Sequence, residues 1–98
     1  MPTYISLLEF TGQGIEHVDE SPNRLDEAKA LAESMGSEVE EFYLTFGEYD
    51  AVAVIEAPDD ETAAQLVLKV GQAGAVSSET LKAFPEDDYR ELIDGLPG

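Results

Sequence analysis

The groups best placed for acid–base chemistry in this chain are Tyr43, Tyr49 and Asp50, which flank a turn at Gly47-Glu48. A phenol and a carboxylate on a sheet can exchange protons with a bound molecule. Ser6, Tyr43, Thr45, Ser78 and Thr80 add hydroxyls. Strand alternation places these on the sheet face away from the helices, where under a partner's sheet they would line a cavity suited to a small ligand. The candidate ligand-binding set is therefore Gly47, Tyr49, Asp50, Tyr43, Ser78 and Thr80. A structural reading stands beside it. Gly47 permits a positive φ, Tyr49 opens a strand as a cross-strand packer, and Asp50 caps backbone N–H groups of the turn.

Other chemistry has little support. His17 is the only histidine and lies in a polar loop beside Glu16, Asp19 and Glu20, which reads as a solvated residue rather than a ligand or base. Asp59-Asp60-Glu61 and Glu86-Asp87-Asp88 fall at helix starts, where capping and the helix dipole favour acids, and neither has a calcium loop's alternating spacing. With no cysteine there is no thiolate zinc site, disulfide or cysteine nucleophile. Phosphate loops, nucleophile elbows and zinc signatures are absent as well. No metal or cofactor is expected, and these patterns identify no catalytic set.

Charge narrows the partners. Twenty-two Asp and Glu face five Lys and Arg, a net −17 at pH 7. Eleven of the acids precede Asp50 and eleven lie from Asp50 onward, so the charge covers the whole surface rather than a tail. Such a surface repels phosphate, which excludes a nucleic-acid partner. Dense carboxylates with only three Lys fit adaptation to high salt, where a Debye length of ~3 Å at 1 M screens their repulsion. The plainer alternative is an acidic protein of ordinary surroundings. No apolar run approaches the roughly 20 residues of a spanning helix, and no signal-peptide pattern opens the chain, so a cytoplasmic protein that does not contact membrane is expected.

These residues sit on a regular series of elements, and 98 residues leave room for one domain, 1–98. Thr3–Phe10 reads as a strand and 11–20 as a polar loop. A helix follows, with Ser21 as N-cap, Pro22 at its first position and Gly36 as a left-handed stop. Glu38–Phe46 alternates, with Phe42, Leu44 and Phe46 on one face. Tyr49–Ala57 is apolar on both faces, which implies cover from both sides. A two-residue type II′ turn at Gly47-Glu48 sets Leu44 opposite Ala51, Phe42 opposite Ala53, Tyr43 opposite Val52 and Thr45 opposite Asp50. Asp59 or Asp60 caps a helix to about Val70 that is unusually apolar around its circumference. Val76–Phe84 is the last strand, and Pro85 opens a short helix with Tyr89, Leu92 and Ile93 facing inward. The order β-α-β-β-α-β is the α+β ferredoxin-like arrangement, a four-stranded antiparallel sheet with its helices on one face.

The segments MPTYISLLEFTGQGI, SPNRLDEAKALAESMG, FYLTFGEYDAVAVIEAPDDE and SSETLKAFPEDDYREL together resemble the GYD domain family, whose Gly-x-Tyr-Asp signature stands here as Gly47-Glu48-Tyr49-Asp50. The resemblance spans nearly the whole chain. It implies the dimeric α/β-barrel form of the ferredoxin-like fold and no established reaction. Thr45 to Phe84 also resembles, more weakly, the effector-binding module of Lrp/AsnC-type regulators. There the hairpin and last strand contribute to small-molecule pockets at subunit interfaces. The expected function is a non-catalytic, homo-oligomeric module that binds a small molecule or another protein. The alternative, by fold analogy, is a cofactor-independent oxygenase or isomerase acting on a small apolar or quinone-like substrate. Tyr43, Tyr49 and Asp50 would be its acid–base groups.

Overall fold

A computed structural model describes residues 1–98. Four strands, β1 (Thr3–Phe10), β2 (Glu38–Leu44), β3 (Ala51–Glu56) and β4 (Val76–Ala83), form one antiparallel sheet in the order β2-β3-β1-β4. Two of the connections are helical, and both helices cover the same face. The architecture is the ferredoxin-like one expected from the element order. Where β2 meets β3, Glu41 faces Val54, Phe42 faces Ala53, Tyr43 faces Val52 and Leu44 faces Ala51, the register expected from a turn centred on Gly47-Glu48. No helix is long and apolar enough to cross a membrane.

The polar segment after β1 is more ordered than a loop. It holds a one-turn helix, α1 (Gly12–Glu16), and a 3-10 turn at Val18–Glu20 that runs directly into α2 (Ser21–Ser34). The Thr11 Oγ1 atom caps α1 by accepting from the Gly14 N–H at 3.1 Å and donates to the Gly74 carbonyl at 2.6 Å. The Thr11 N–H donates to the Ala75 carbonyl at 3.0 Å. These bonds tie the exit of β1 to the entry of β4, and Gly14 lies so close to Ala75 that a Cβ would fall 1.9 Å from its carbonyl oxygen. Because the 3-10 turn continues into α2, Ser21 is the first residue of the helix and does not cap it.

α2 stops at Gly36, φ +73, in a Schellman motif. The Ser37 N–H donates to the Ala32 carbonyl and the Gly36 N–H to that of Glu33. Asp59 caps the second long helix, α3 (Asp60–Gln72), by accepting from the Thr62 N–H at 2.8 Å. The core between the sheet and these helices is thin and built of small residues. Tyr4, Ala53 and Ile55 meet Ala32, Ala57, Ala63 and Leu66. Leu68 on α3 is exposed, so this helix is apolar beyond the stripe that it buries.

The C-terminal helix, α4 (Glu86–Asp94), departs from expectation. Tyr89, Leu92 and Ile93 do not turn inward; they are 56%, 51% and 50% exposed, and every residue of the helix is exposed. Phe84 and Pro85 carry the chain off the end of β4 into this exposed helix. The molecule is accordingly elongated, 54 × 31 × 17 Å. Its radius of gyration of 14.8 Å exceeds the roughly 13 Å of a compact chain this long.

Candidate functional site

The turn joining β2 to β3 is wider than two residues. Pairing ends at Leu44–Ala51, and one further bond, Thr45 N–H to the Asp50 carbonyl at 2.9 Å, closes a loop of Phe46, Gly47, Glu48 and Tyr49. Gly47 has φ +114, a conformation that favours glycine, and Phe46 at the tip is fully exposed. The wider loop follows from Thr45 and Asp50. Thr45 Oγ1 donates to the Tyr49 carbonyl at 2.7 Å, occupying an acceptor at the end of the ladder. Asp50 then extends the β1–β3 pairing. Its N–H donates to the Leu8 carbonyl and its Oδ2 accepts from the Phe10 N–H, both at 2.8 Å. A carboxylate at the start of a strand thus serves the neighbouring strand rather than its own turn.

The six candidate residues do not surround one cavity. Residues opposite each other in the register point to the same side, which puts Ser6, Thr80 and Ser78 with Tyr4 and Leu8 on the helix-covered face. Tyr43 lies on the other face with Val52 and Glu41. The expected cluster of hydroxyls on the open face is therefore absent. Ser6 and Thr80 satisfy one another at 2.8 Å, and Ser78 lines a small apolar space of about 70 Å³ under the helices. Tyr49 reaches over β1 to donate to Glu79 Oε2 on β4 at 2.6 Å.

Neighbouring carboxylates make the phenols weaker acids. The hydrogen bond to Glu79, followed by partial burial and the surrounding carboxylates, pushes the Tyr49 hydroxyl up to about 12. Tyr43 donates to Glu41 and is raised for the same reason. Buried Tyr4 donates to Asp60 and is pushed up to about 12. Asp60 is lowered in return, first by that bond and then by Lys82, whose Nζ stands 3.0 Å away. This Tyr4–Asp60–Lys82 chain was not legible in the sequence, because 56 positions separate Tyr4 from Asp60.

Two surfaces remain. The sheet face opposite the helices carries Ile5 and Leu7 of β1, Val52 and Val54 of β3 and Leu81 of β4, with no element of the chain across it. At the β2 edge of this face a bulge between Val39 and Glu41 swings Glu40 round to Glu38 and Glu56. Their carboxylate oxygens lie within 4.8 Å of one another, the one grouping of side chains able to hold a metal ion. Hydrogen bonding to Glu56 and the charge of Glu38 push the Glu40 carboxyl above its usual range. The second surface is an apolar cleft of about 470 Å³ between α2 and α3. Its lining includes Leu8, Leu25, Leu31, Phe42, Val70 and Val76, and Asp50, Glu27, Arg24 and Lys69 supply its charges.

This sheet, hairpin and signature can be set against known proteins. The GYD domain family model matches residues 4–93. The chain belongs to the GYD domain family. A relative of this GYD chain from Thermus thermophilus is 37% identical over 89 residues, which is 90% of this chain and 94% of that protein. It bears the name glutamine synthetase and cystathionine beta-lyase binding protein. The crystal structure of TTHA0845, also from T. thermophilus, superposes with a TM-score of 0.56 at 27% identity, covering 86% of this GYD chain and 94% of that one. FFRP-DM1 superposes with a TM-score of 0.63 at 20% identity, covering 86% of this chain and all of that one, a likeness of fold alone.

Proposed function

We propose that this GYD protein is a non-catalytic binding module that works as a homo-oligomer assembled through its open sheet face. The observation that carries the reading is that face. Ile5, Leu7, Val52, Val54 and Leu81 form a continuous apolar surface on the side away from the helices. Contiguous apolar surface of this kind marks an interaction site. Carboxylates stand along it at Glu9, Glu41, Glu56 and Glu79, giving the apolar centre and polar rim of an interface.

Tyr43 and Tyr49 are committed as donors to Glu41 and Glu79, which removes them as proton donors near neutrality and weighs against the oxygenase or isomerase reading. The candidate ligand residues are spread over both faces of the sheet, so a protein partner suits this chain better than a small molecule at the hairpin. The name of the T. thermophilus relative, a binding protein for two enzymes, supports the same choice. We extend the proposal to a cytoplasmic protein in a high-salt interior. Asp60 and Glu86 are the only carboxylates within 4.0 Å of a Lys or Arg nitrogen, so the other acids have no Lys or Arg to offset their charge.

The test uses mass action. An oligomer melts at a temperature that rises with protein concentration, whereas a monomer does not. The wild type should show this rise in molar KCl, and Val54→Lys should markedly reduce it by placing an unpaired charge in the interface. A melting temperature independent of concentration in the wild type refutes the reading.

A further inference from the structure

α4 and the α2–α3 cleft are two unpartnered apolar surfaces in one chain. α4 is amphipathic, with Tyr89, Leu92 and Ile93 on one stripe and Leu96, 65% exposed, just beyond it. Five acids, Glu86, Asp87, Asp88, Glu91 and Asp94, and a single cation, Arg90, occupy the rest of the helix. Arg90 is already paired with Glu86 at 2.8 Å. No residue of this nine-residue helix is buried by its own chain, and isolated helices of this length are marginal.

The cleft has the complementary character. Its floor is apolar, and two of the chain's five cations, Arg24 and Lys69, stand in its walls. Neither is spent on a carboxylate. Arg24 donates to the carbonyls of His17 and Gly14 at 3.1 and 3.3 Å, and Lys69 donates to Gln72 Oε1 at 3.3 Å. Of the two acids present, Asp50 is engaged by the Phe10 N–H, which leaves Glu27 as the opposing charge. An acidic helix with an apolar stripe fits this surface better than an apolar helix of neutral or basic character.

Chain geometry decides where that helix comes from. One end of the cleft lining is Phe10 together with Val76, which starts β4, whereas α4 leaves from the far end of that strand. Eight residues of strand separate the two by roughly 25 Å. The Phe84-Pro85 bridge spans at most ~7 Å, and nine helical residues add ~13.5 Å. Folded straight back, α4 falls short of the Phe10–Val76 end of its own cleft.

We propose that α4 of one chain seats its apolar stripe in the α2–α3 cleft of a second copy, with Arg24 and Lys69 facing its carboxylates. The contact joins unlike surfaces, so it is heterologous and links chains head to tail unless it closes reciprocally. It uses no residue of the open sheet face and stands independently of the oligomer proposed above.

The absence of cysteine makes a direct test possible. Ile93→Cys places a thiol on the α4 stripe, and Ala73→Cys places one on the cleft rim, both at exposed positions. The two variants are mixed in molar KCl, oxidised and separated without reductant. A two-chain band in the mixture, absent from either variant alone and lost when Leu92→Asp is added to the Ile93→Cys chain, is the expected result. A mixture without that band overturns the proposal. So does a band of equal strength from Ile93→Cys alone, which would pair α4 with α4, or a band that Leu92→Asp leaves untouched.

Discussion

Replacing Asp50 by alanine tests whether the acid of the Gly-x-Tyr-Asp signature is a structural device. Its Oδ2 accepts the Phe10 N–H at 2.8 Å in a half-buried setting, and β3 offers no other acceptor there because the Tyr49 carbonyl is taken by Thr45. A hydrogen bond to a charged group contributes about 1.5–3 kcal/mol, and stranding a buried amide costs about 1–3 kcal/mol. Partial exposure lets water recover some of this, so we expect a loss of about 1–2 kcal/mol for Asp50→Ala. In a domain of this size each kcal/mol moves the melting temperature by about 4–8 °C. Calorimetry in molar KCl should therefore place Asp50→Ala roughly 4–16 °C below wild type. Asp50→Asn keeps one acceptor oxygen and should lie between them. Hydrogen exchange should show the Phe10 amide losing protection in the alanine variant only. An Asp50→Ala protein that melts with the wild type and keeps Phe10 protected would refute the structural role and return Asp50 to the list of ligand contacts.

Three further outcomes are expected. Gly14→Ala drives a Cβ to 1.9 Å from the Ala75 carbonyl oxygen, so urea denaturation should report a loss of at least about 1–3 kcal/mol. Glu40 has its carboxyl raised, first by the hydrogen bond to Glu56, so whatever it contributes to stability is present below the ordinary glutamate range and lost as pH rises through the raised value. Glu40→Gln should then melt above wild type at pH ~7 in low salt and lose that advantage at pH ~4; an equal gain at both values would contradict the linkage. Dilution from molar salt to tens of millimolar lengthens the Debye length from ~3 Å towards ~30 Å and should lower the wild-type melting temperature, whereas a constant value would end the high-salt reading.

The legible parts of the fold are those where apolar residues mark a period. Phe42 and Leu44 alternate against Glu41 and Tyr43, and the register with Ala51 and Ala53 followed from centring the turn on Gly47-Glu48. Val76-Ser-Ser-Glu-Thr offers no such marker between its ends. A shift of one residue inverts every side chain of a strand, and for that reason the alternation alone puts Ser78 and Thr80 on the wrong face. α1 was hidden because Gly-Gln-Gly-Ile has little helix propensity; Thr11 and the distant Gly74-Ala75 backbone hold it. The bulge at Glu40 leaves no trace in a run of four residues containing three glutamates. For α4 the 3.6-residue pattern announced a stripe that needs cover but could not say that the chain itself leaves that stripe exposed.

Within the candidate site, Gly47 has the positive φ expected of it, and Asp50 has a backbone partner, though on β1 rather than in the turn. Arg24 and Lys69 gave no signal because nothing in their local sequence relates the start of α2 to the end of α3.

The most direct measurement of the central claim is the mass of the wild-type protein in molar KCl by multi-angle light scattering. The open apolar sheet face predicts a whole-number multiple of the 10.6 kDa chain, two or more, across the concentration range. A single species of 10.6 kDa at every concentration would contradict it.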